Sequence, residues 1–199
     1  CLAPFPNTAQ AEPVEAQAQG PQKMILGCVL AGGLSTRFGS DKALAELDGH
    51  TLIARAVDAL SGWCEYVVVA GRELAPAPTL PDWPRPGMGP LAGIAAALHL
   101  SRDEGYEAVL TCGVDSACLP DDLPVLLAPA PAYLADQPVI GLWPASAIEA
   151  IEAILTGEGR HSMRQFAEAI GARQVRLVAK PANINTPADL AELEKRRGL

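Results

Sequence analysis

No stretch of this 199-residue chain approaches the 18 or more consecutive apolar residues that a membrane-spanning helix needs. The apolar pattern from Ile94 to Leu100 is interrupted by His99 and followed by Ser101, Arg102, Asp103 and Glu104. Positive charge is also scarce, with 15 Lys and Arg against 23 Asp and Glu and a formal net charge of −8. That balance excludes a general nucleic-acid-coating role, which needs basic stripes to release counterions. An anionic small substrate would therefore have to be drawn in by local charge.

The cysteines are odd in number, five in all at Cys1, Cys28, Cys64, Cys112 and Cys118, and contain no C-x-x-C pair. Neither a zinc site nor a disulfide framework is suggested, and a reducing cytoplasm is the expected setting. Cys28 and Cys112 lie inside apolar runs and are expected to pack in the core as small hydrophobes. Residues 1–22, rich in Pro, Ala, Gln and Glu, lack the basic and apolar regions of a signal peptide. They are expected to form a disordered N-terminal tail ahead of a domain spanning 23–199.

Two common phosphate loops are missing as well. A Walker A loop requires G-x-x-x-x-G-K-[ST], whereas Gly33 and Gly39 are separated by five residues and Gly39 is followed by Ser40. The dinucleotide fingerprint G-x-G-x-x-G is absent. What stands there instead is an apolar run, Met24 to Leu30, leading into Leu30-Ala31-Gly32-Gly33-Leu34-Ser35-Thr36-Arg37-Phe38-Gly39-Ser40-Asp41-Lys42. A strand ending in such a loop lets backbone N–H groups approach a polyphosphate without Cβ atoms in the way, while Arg37 and Lys42 supply charge. The competing reading is a ligand-free β–α turn, but neither Arg37 nor Lys42 has an obvious packing reason. The loop is suited to a nucleoside triphosphate.

Beyond it, strands and helices alternate as a parallel sheet requires. Thr51 to Leu60 reads as an amphipathic helix with Arg55 and Asp58 toward solvent, and Glu65 to Ala70 as a second strand. Pro76 to Pro90 reads as a loop without regular structure that walls the site, and Gly89-Pro90-Leu91-Ala92-Gly93 opens a helix. Glu107 to Cys112 is a third strand. Further elements are a short helix from Pro120 to Leu127, antiparallel strands at Ala132–Leu134 and Val139–Trp143, helices at Ser146–Leu155 and Ser162–Ile170, a strand at Arg173–Val178, and a helix from Pro187 capped by Thr186. Lys195, Arg196 and Arg197 would sit at that helix's end as partners of its dipole. The fold class is α/β, a single three-layer domain with a mostly parallel, Rossmann-like sheet.

Asp115 follows the third strand, where open α/β sheets bind ligands. From position alone it serves equally as a metal ligand or as the start of a turn. A triphosphate at the first strand favours the metal, because Mg2+ prefers one or two carboxylates plus phosphate oxygens.

The loop pattern L-A-G-G-x-S-x-R-x-G-x-D-K resembles the signature of nucleotidyltransferases, most closely that of the molybdenum cofactor guanylyltransferase family. Gly89 to Gly93, the aspartate after the third strand, and Asn183-Ile184-Asn185-Thr186-Pro187 follow in that family's order, framing nearly the whole chain from Met24. The resemblance implies that Leu30, Ala31, Gly32, Gly33, Arg37 and Lys42 bind nucleotide, with Asp82 near the nucleoside. It implies that Asp115 holds Mg2+, that Arg37, Lys42 and Asp115 carry catalysis, and that Asn183 and Asn185 face the acceptor or the metal. The implied reaction moves GMP from GTP to the terminal phosphate of molybdopterin and releases pyrophosphate. Molybdoenzyme-maturation proteins are further candidate partners, with no nucleic acid and no membrane involved.

Gly32 favours guanine, since close relatives using CTP tend to carry Ala-Ala-Gly at this point. Three positions depart from the family pattern: Ser116-Ala117 replaces the usual x-Pro, Phe38 a common Met, and Gln137-Pro138 a frequent His-Pro. The segment from Arg72 to Gly89 is also short. Two other readings stay open. One is a nucleotidyltransferase using CTP or a sugar phosphate; the other is a nucleotide-binding or cofactor-delivery protein that would bind GTP without releasing pyrophosphate.

Overall fold

The computed structural model describes residues 24–33, 38, 41–159, 161–177 and 182–197. The expected tail, Arg37, and the last residue of the strand read to Val178 lie outside the described residues. In chain order the elements begin with β1 (Ile25–Leu30), a 3₁₀ turn (Lys42–Leu44), β2 (Glu46–Leu47), β3 (His50–Thr51), α1 (Leu52–Ser61) and β4 (Tyr66–Ala70). They continue with β5 (Thr79–Leu80), α2 (Pro90–Glu104), β6 (Ala108–Gly113), β7 (Ser116–Ala117), α3 (Leu123–Leu127) and β8 (Ala132–Leu134). The last are β9 (Gln137–Pro144), α4 (Ile148–Thr156), α5 (Met163–Ala169), β10 (Arg173–Val175), β11 (Ala182–Asn183) and α6 (Pro187–Arg197).

Seven strands form one sheet in the order β10-β8-β9-β6-β1-β4-β5. β6, β1, β4 and β5 pair in parallel, β10 pairs in parallel with β8, and only β9 runs against its neighbours β6 and β8. Alternation along each strand sorts side chains between two cores. On β4, Val67 and Val69 face one core and Val68 and Ala70 the other; on β6, Leu110 and Cys112 oppose Val109. Ile53, Ala56, Val57 and Leu60 of α1, with Leu123 and Leu127 of α3, cover the first face. Leu91, Ile94 and Leu98 of α2, Ile151 and Leu155 of α4, and Phe166 of α5 cover the second. Helices on both faces of a largely parallel sheet make the three layers expected from the sequence. Cys28 and Cys112 are fully buried, and desolvation pushes the Cys28 thiol up to about 12.

Local chemistry sets the helix starts. The Thr51 hydroxyl accepts from Ala54 N–H at the head of α1, and Ser162 does the same for Gln165 N–H before α5. At α6, Thr186 Oγ1 accepts from Asp189 N–H while Asp189 Oδ2 accepts from the N–H groups of Asn185 and Thr186. This reciprocal arrangement satisfies donors that the helix itself leaves open.

One expectation is corrected. The segment from Pro76 to Pro90 contains β5, whose Thr79 and Leu80 pair with Val69 and Ala70. Proline is tolerated because the bonds nearest it use carbonyls: Val69 N–H donates to Pro78 O at 2.9 Å and Gly71 N–H to Leu80 O at 3.3 Å, on an edge strand. Arg55 is partly exposed and also bonds to the preceding hairpin. Its Nη1 donates to Leu47 O and Asp48 Oδ2, tying α1 to the β2–β3 hairpin.

Candidate nucleotide site

A cavity of about 270 Å³ opens at the carboxyl ends of β1, β4 and β6, with Leu30, Gly32, Gly33, Ala70, Asp82 and Asp115 among its lining. The N-terminal turn of α2 closes another side through Gly89, Pro90 and Gly93. Gly89 starts that helix at φ +74°, Pro90 occupies the first turn, and Trp83 N–H donates to Ala92 O, holding the Asp82 segment against the helix. Gly93 allows the approach to the sheet, since a Cβ there would lie 2.8 Å from Leu30 Cδ2 and 3.0 Å from Ala70 Cβ. A 15-residue helix aimed at the cavity adds positive potential for an anion.

Asp82 carries the opposite sign into the same space, and desolvation raises its carboxyl above the ordinary range. A folded-state value above the unfolded one means that ionisation costs stability as pH rises past the ordinary carboxylate range, and that the cost is absent where both states are protonated. Asp82→Asn is expected to raise the thermal midpoint at pH 7, with the gain vanishing below about pH 4. It is also expected to weaken nucleotide binding; thermal melts across pH and GTP titration check both. An unaltered midpoint together with unaltered GTP affinity would contradict this assignment.

Lys42 is 8% exposed and begins the 3₁₀ turn, while Asp41 Oδ1 caps that turn by accepting from Ala43 N–H at 3.1 Å. Its Nζ donates to Asp115 Oδ2 at 2.9 Å. The sequence assigned these two residues separate duties, on phosphate and on metal; the fold brings them together as an ion pair at the cavity edge. Gly113 leaves room for this, because a Cβ there would stand 2.5 Å from Asp115 Oδ1.

The backbone of Asp115 is anchored from a distant part of the chain. Asn183 pairs with Ser116 across the β7–β11 ladder, and Ile184 N–H donates to Asp115 O at 3.1 Å. Asn183, on this ladder, and Asn185, two residues beyond it, are both exposed and are not among the residues lining the cavity. Two departures from the family pattern meet here: Ser116 Oγ donates to Gln137 Oε1 at 3.2 Å, both side chains being buried. Ala31 is buried behind the loop, its N–H donating to Ala70 O. Sequence reasoning missed the lining residues Ala70 and Val139, and also Gly71 and Arg72, which contact the loop; only the strand end before Gly71 hinted at the latter.

Among the described residues no group of three or more His, Cys, Asp or Glu is placed to cage a metal ion. The donor set suits an ion held by one carboxylate, Asp115, and completed by substrate phosphate oxygens and water, as Mg2+ allows. No helix of the described residues is long and apolar enough to cross a membrane.

A glycine loop after β1, a helix N-terminus and an acid after β6, all at the carboxyl edge of a mostly parallel sheet, are the layout of a nucleotidyltransferase fold. A structure titled molybdopterin-guanine dinucleotide biosynthesis protein A from Archaeoglobus fulgidus superposes with a TM-score of 0.69 at 22% identity, covering 87% of this chain and 98% of that one. The family model described as the MobA-like NTP transferase domain matches residues 27–177, and the chain belongs to that family. Proteins named molybdenum cofactor guanylyltransferase from Acidiphilium cryptum and Rhodobacter capsulatus are each 37% identical to it. The alignments cover 85% and 86% of this chain and 93% and 96% of those proteins.

Proposed function

We propose that this chain transfers GMP from GTP to the terminal phosphate of molybdopterin, forming the guanine dinucleotide cofactor and releasing pyrophosphate. The observation that supports the reading is one cavity lined by Gly32, Gly33, Asp82 and Asp115, with Lys42 paired to Asp115, in a chain 37% identical to proteins named molybdenum cofactor guanylyltransferase.

The acceptor phosphate attacks the α-phosphorus as the bond to pyrophosphate breaks, so no protein nucleophile is needed. This chain's residues bind, align and neutralise. The amides of Gly32 and Gly33 approach the phosphates, and Lys42 exchanges its contact with Asp115 for a phosphate oxygen. The Asp115 carboxylate is thereby available to Mg2+, which when bound neutralises charge on the triphosphate. Arg37 adds a second cation, Asp82 faces the nucleoside, and Asn183 and Asn185 face the acceptor. Pyrophosphate release that requires GTP, the acceptor and Mg2+ together tests this reading; nucleotide binding without release would favour a cofactor-delivery protein.

Base choice has its own test. A Cβ on Gly32 would meet nothing closer than Gly71 Cα at 3.4 Å, so Gly32→Ala is compatible with the fold. The GTP-to-CTP ratio of kcat/KM is expected to fall by about 10-fold, the scale of one small group in a binding pocket. A ratio identical to wild type would remove Gly32 from base selection.

A further inference from the structure

We propose that Arg72 is a positioning residue for the nucleotide loop: with Gly71 it fixes both flanks of the Gly32–Lys42 stretch and acts on phosphate recognition through Asp41, without touching substrate. Its effect on activity rests on the nucleotidyl-transfer reading, whereas the clamp itself does not.

Three consecutive residues, the last of β4 and the two that follow it, meet both flanks. Ala70 O accepts from Ala31 N–H at 2.9 Å. Gly71, at φ +82°, packs so closely on Gly32 that a Cβ would lie 2.6 Å from Gly32 Cα and 2.7 Å from its N, which only glycine permits. Arg72 then reaches the other flank, its Nη1 and Nη2 donating to Asp41 Oδ1 at 2.9 Å and Oδ2 at 2.6 Å. Its Nε donates to Leu74 O at 3.3 Å.

An isolated exposed ion pair contributes little. This one differs in what its acceptor holds. The two-pronged guanidinium fixes the plane of the Asp41 carboxylate, and Oδ1 of that carboxylate caps the turn from which Lys42 reaches Asp115. The Asp41 carboxyl is held below the ordinary range, first by the Arg72 hydrogen bond. Each of the three guanidinium nitrogens already has an acceptor, so Arg72 is arranged as a strut between two backbone segments. Through the Asp41 cap, that strut reaches the turn that carries Lys42.

The test uses full-length Arg72→Ala, Arg72→Lys, Asp41→Asn and the Arg72→Ala/Asp41→Asn double variant, read by steady-state kinetics with GTP and by amide hydrogen exchange without nucleotide. Arg72→Ala is expected to lower kcat/KM by roughly 10- to 100-fold, the scale of a misplaced catalytic group. Lysine should restore part of it, and the double variant should be no worse than Arg72→Ala, because the two residues act as a unit. Exchange should quicken across residues 41–45 and stay at wild-type rates in β1 and β4. A purely structural role would lower the thermal midpoint and leave kcat/KM per folded molecule unchanged, which overturns the proposal. So would unchanged exchange at 41–45, or loss of activity in Arg72→Ala with wild-type activity in Asp41→Asn, the pattern of direct substrate contact. Should wild type consume no GTP, the failure belongs to the functional reading and the exchange data still decide the clamp.

Discussion

Lys42→Ala is expected to lower kcat for nucleotidyl transfer by about 10²- to 10³-fold, the range for removing one preorganised charge-stabilising donor. Lys42 is nearly buried and its ammonium contacts Asp115, which lines the cavity, so a phosphate oxygen bound there would replace the carboxylate it now contacts. Truncation leaves Asp115 without this partner, but its side chain is 28% exposed and water can compensate in part. The stability cost should therefore stay at about 1–3 kcal/mol, a lowered thermal midpoint in a folded protein. Circular dichroism and steady-state kinetics on the same preparation separate the effects. Near-normal turnover would remove Lys42 from the reaction.

Asp115→Asn is the complementary experiment, with the second large effect. The amide oxygen can still accept from Lys42, and Ile184 N–H still reaches the main-chain carbonyl of residue 115, so the fold is expected to persist. The negative charge is lost, and with it the protein's contribution to a magnesium site otherwise built from phosphate oxygens and water. Half-maximal Mg2+ concentration should rise at least about 10-fold and kcat should fall about 100-fold, comparable to the loss of one second-sphere or ligand interaction. A superimposable magnesium titration would place the metal elsewhere.

The two variants probe a pairing that the sequence did not disclose. Lys42 and Asp115 are 73 residues apart, and each alone suggests its own partner, phosphate or metal. Periodic signals were legible: the apolar runs of β1, β4 and β6, the helical face of α1, and the Thr186-Pro187 helix start all emerged close to their observed places. They follow from local rules of strand alternation, helical spacing and capping. Non-local contacts were not legible. β5 was hidden because a proline-rich stretch reads as loop unless its edge position and carbonyl bonding are known, and the β7–β11 ladder joins segments far apart in the chain.

The candidate site divides the same way. Leu30, Gly32, Gly33, Asp82 and Asp115 follow from strand ends and motif order, and the structure places all five around one cavity. Ser116 and Gln137 looked like unrelated departures until the β8–β9 hairpin set their side chains in a buried hydrogen bond beside Asp115. Arg72 carried no motif at all; its meaning comes from Asp41, which folding brings within 2.6 Å.

The most direct measurement of the central claim is mass analysis of the product formed when the purified protein is incubated with Mg2+ and molybdenum-loaded molybdopterin, with GTP and CTP in parallel. The account predicts a guanine dinucleotide with stoichiometric pyrophosphate, and little cytosine product. Failure to form either dinucleotide, while a known guanylyltransferase converts the same acceptor, would contradict it.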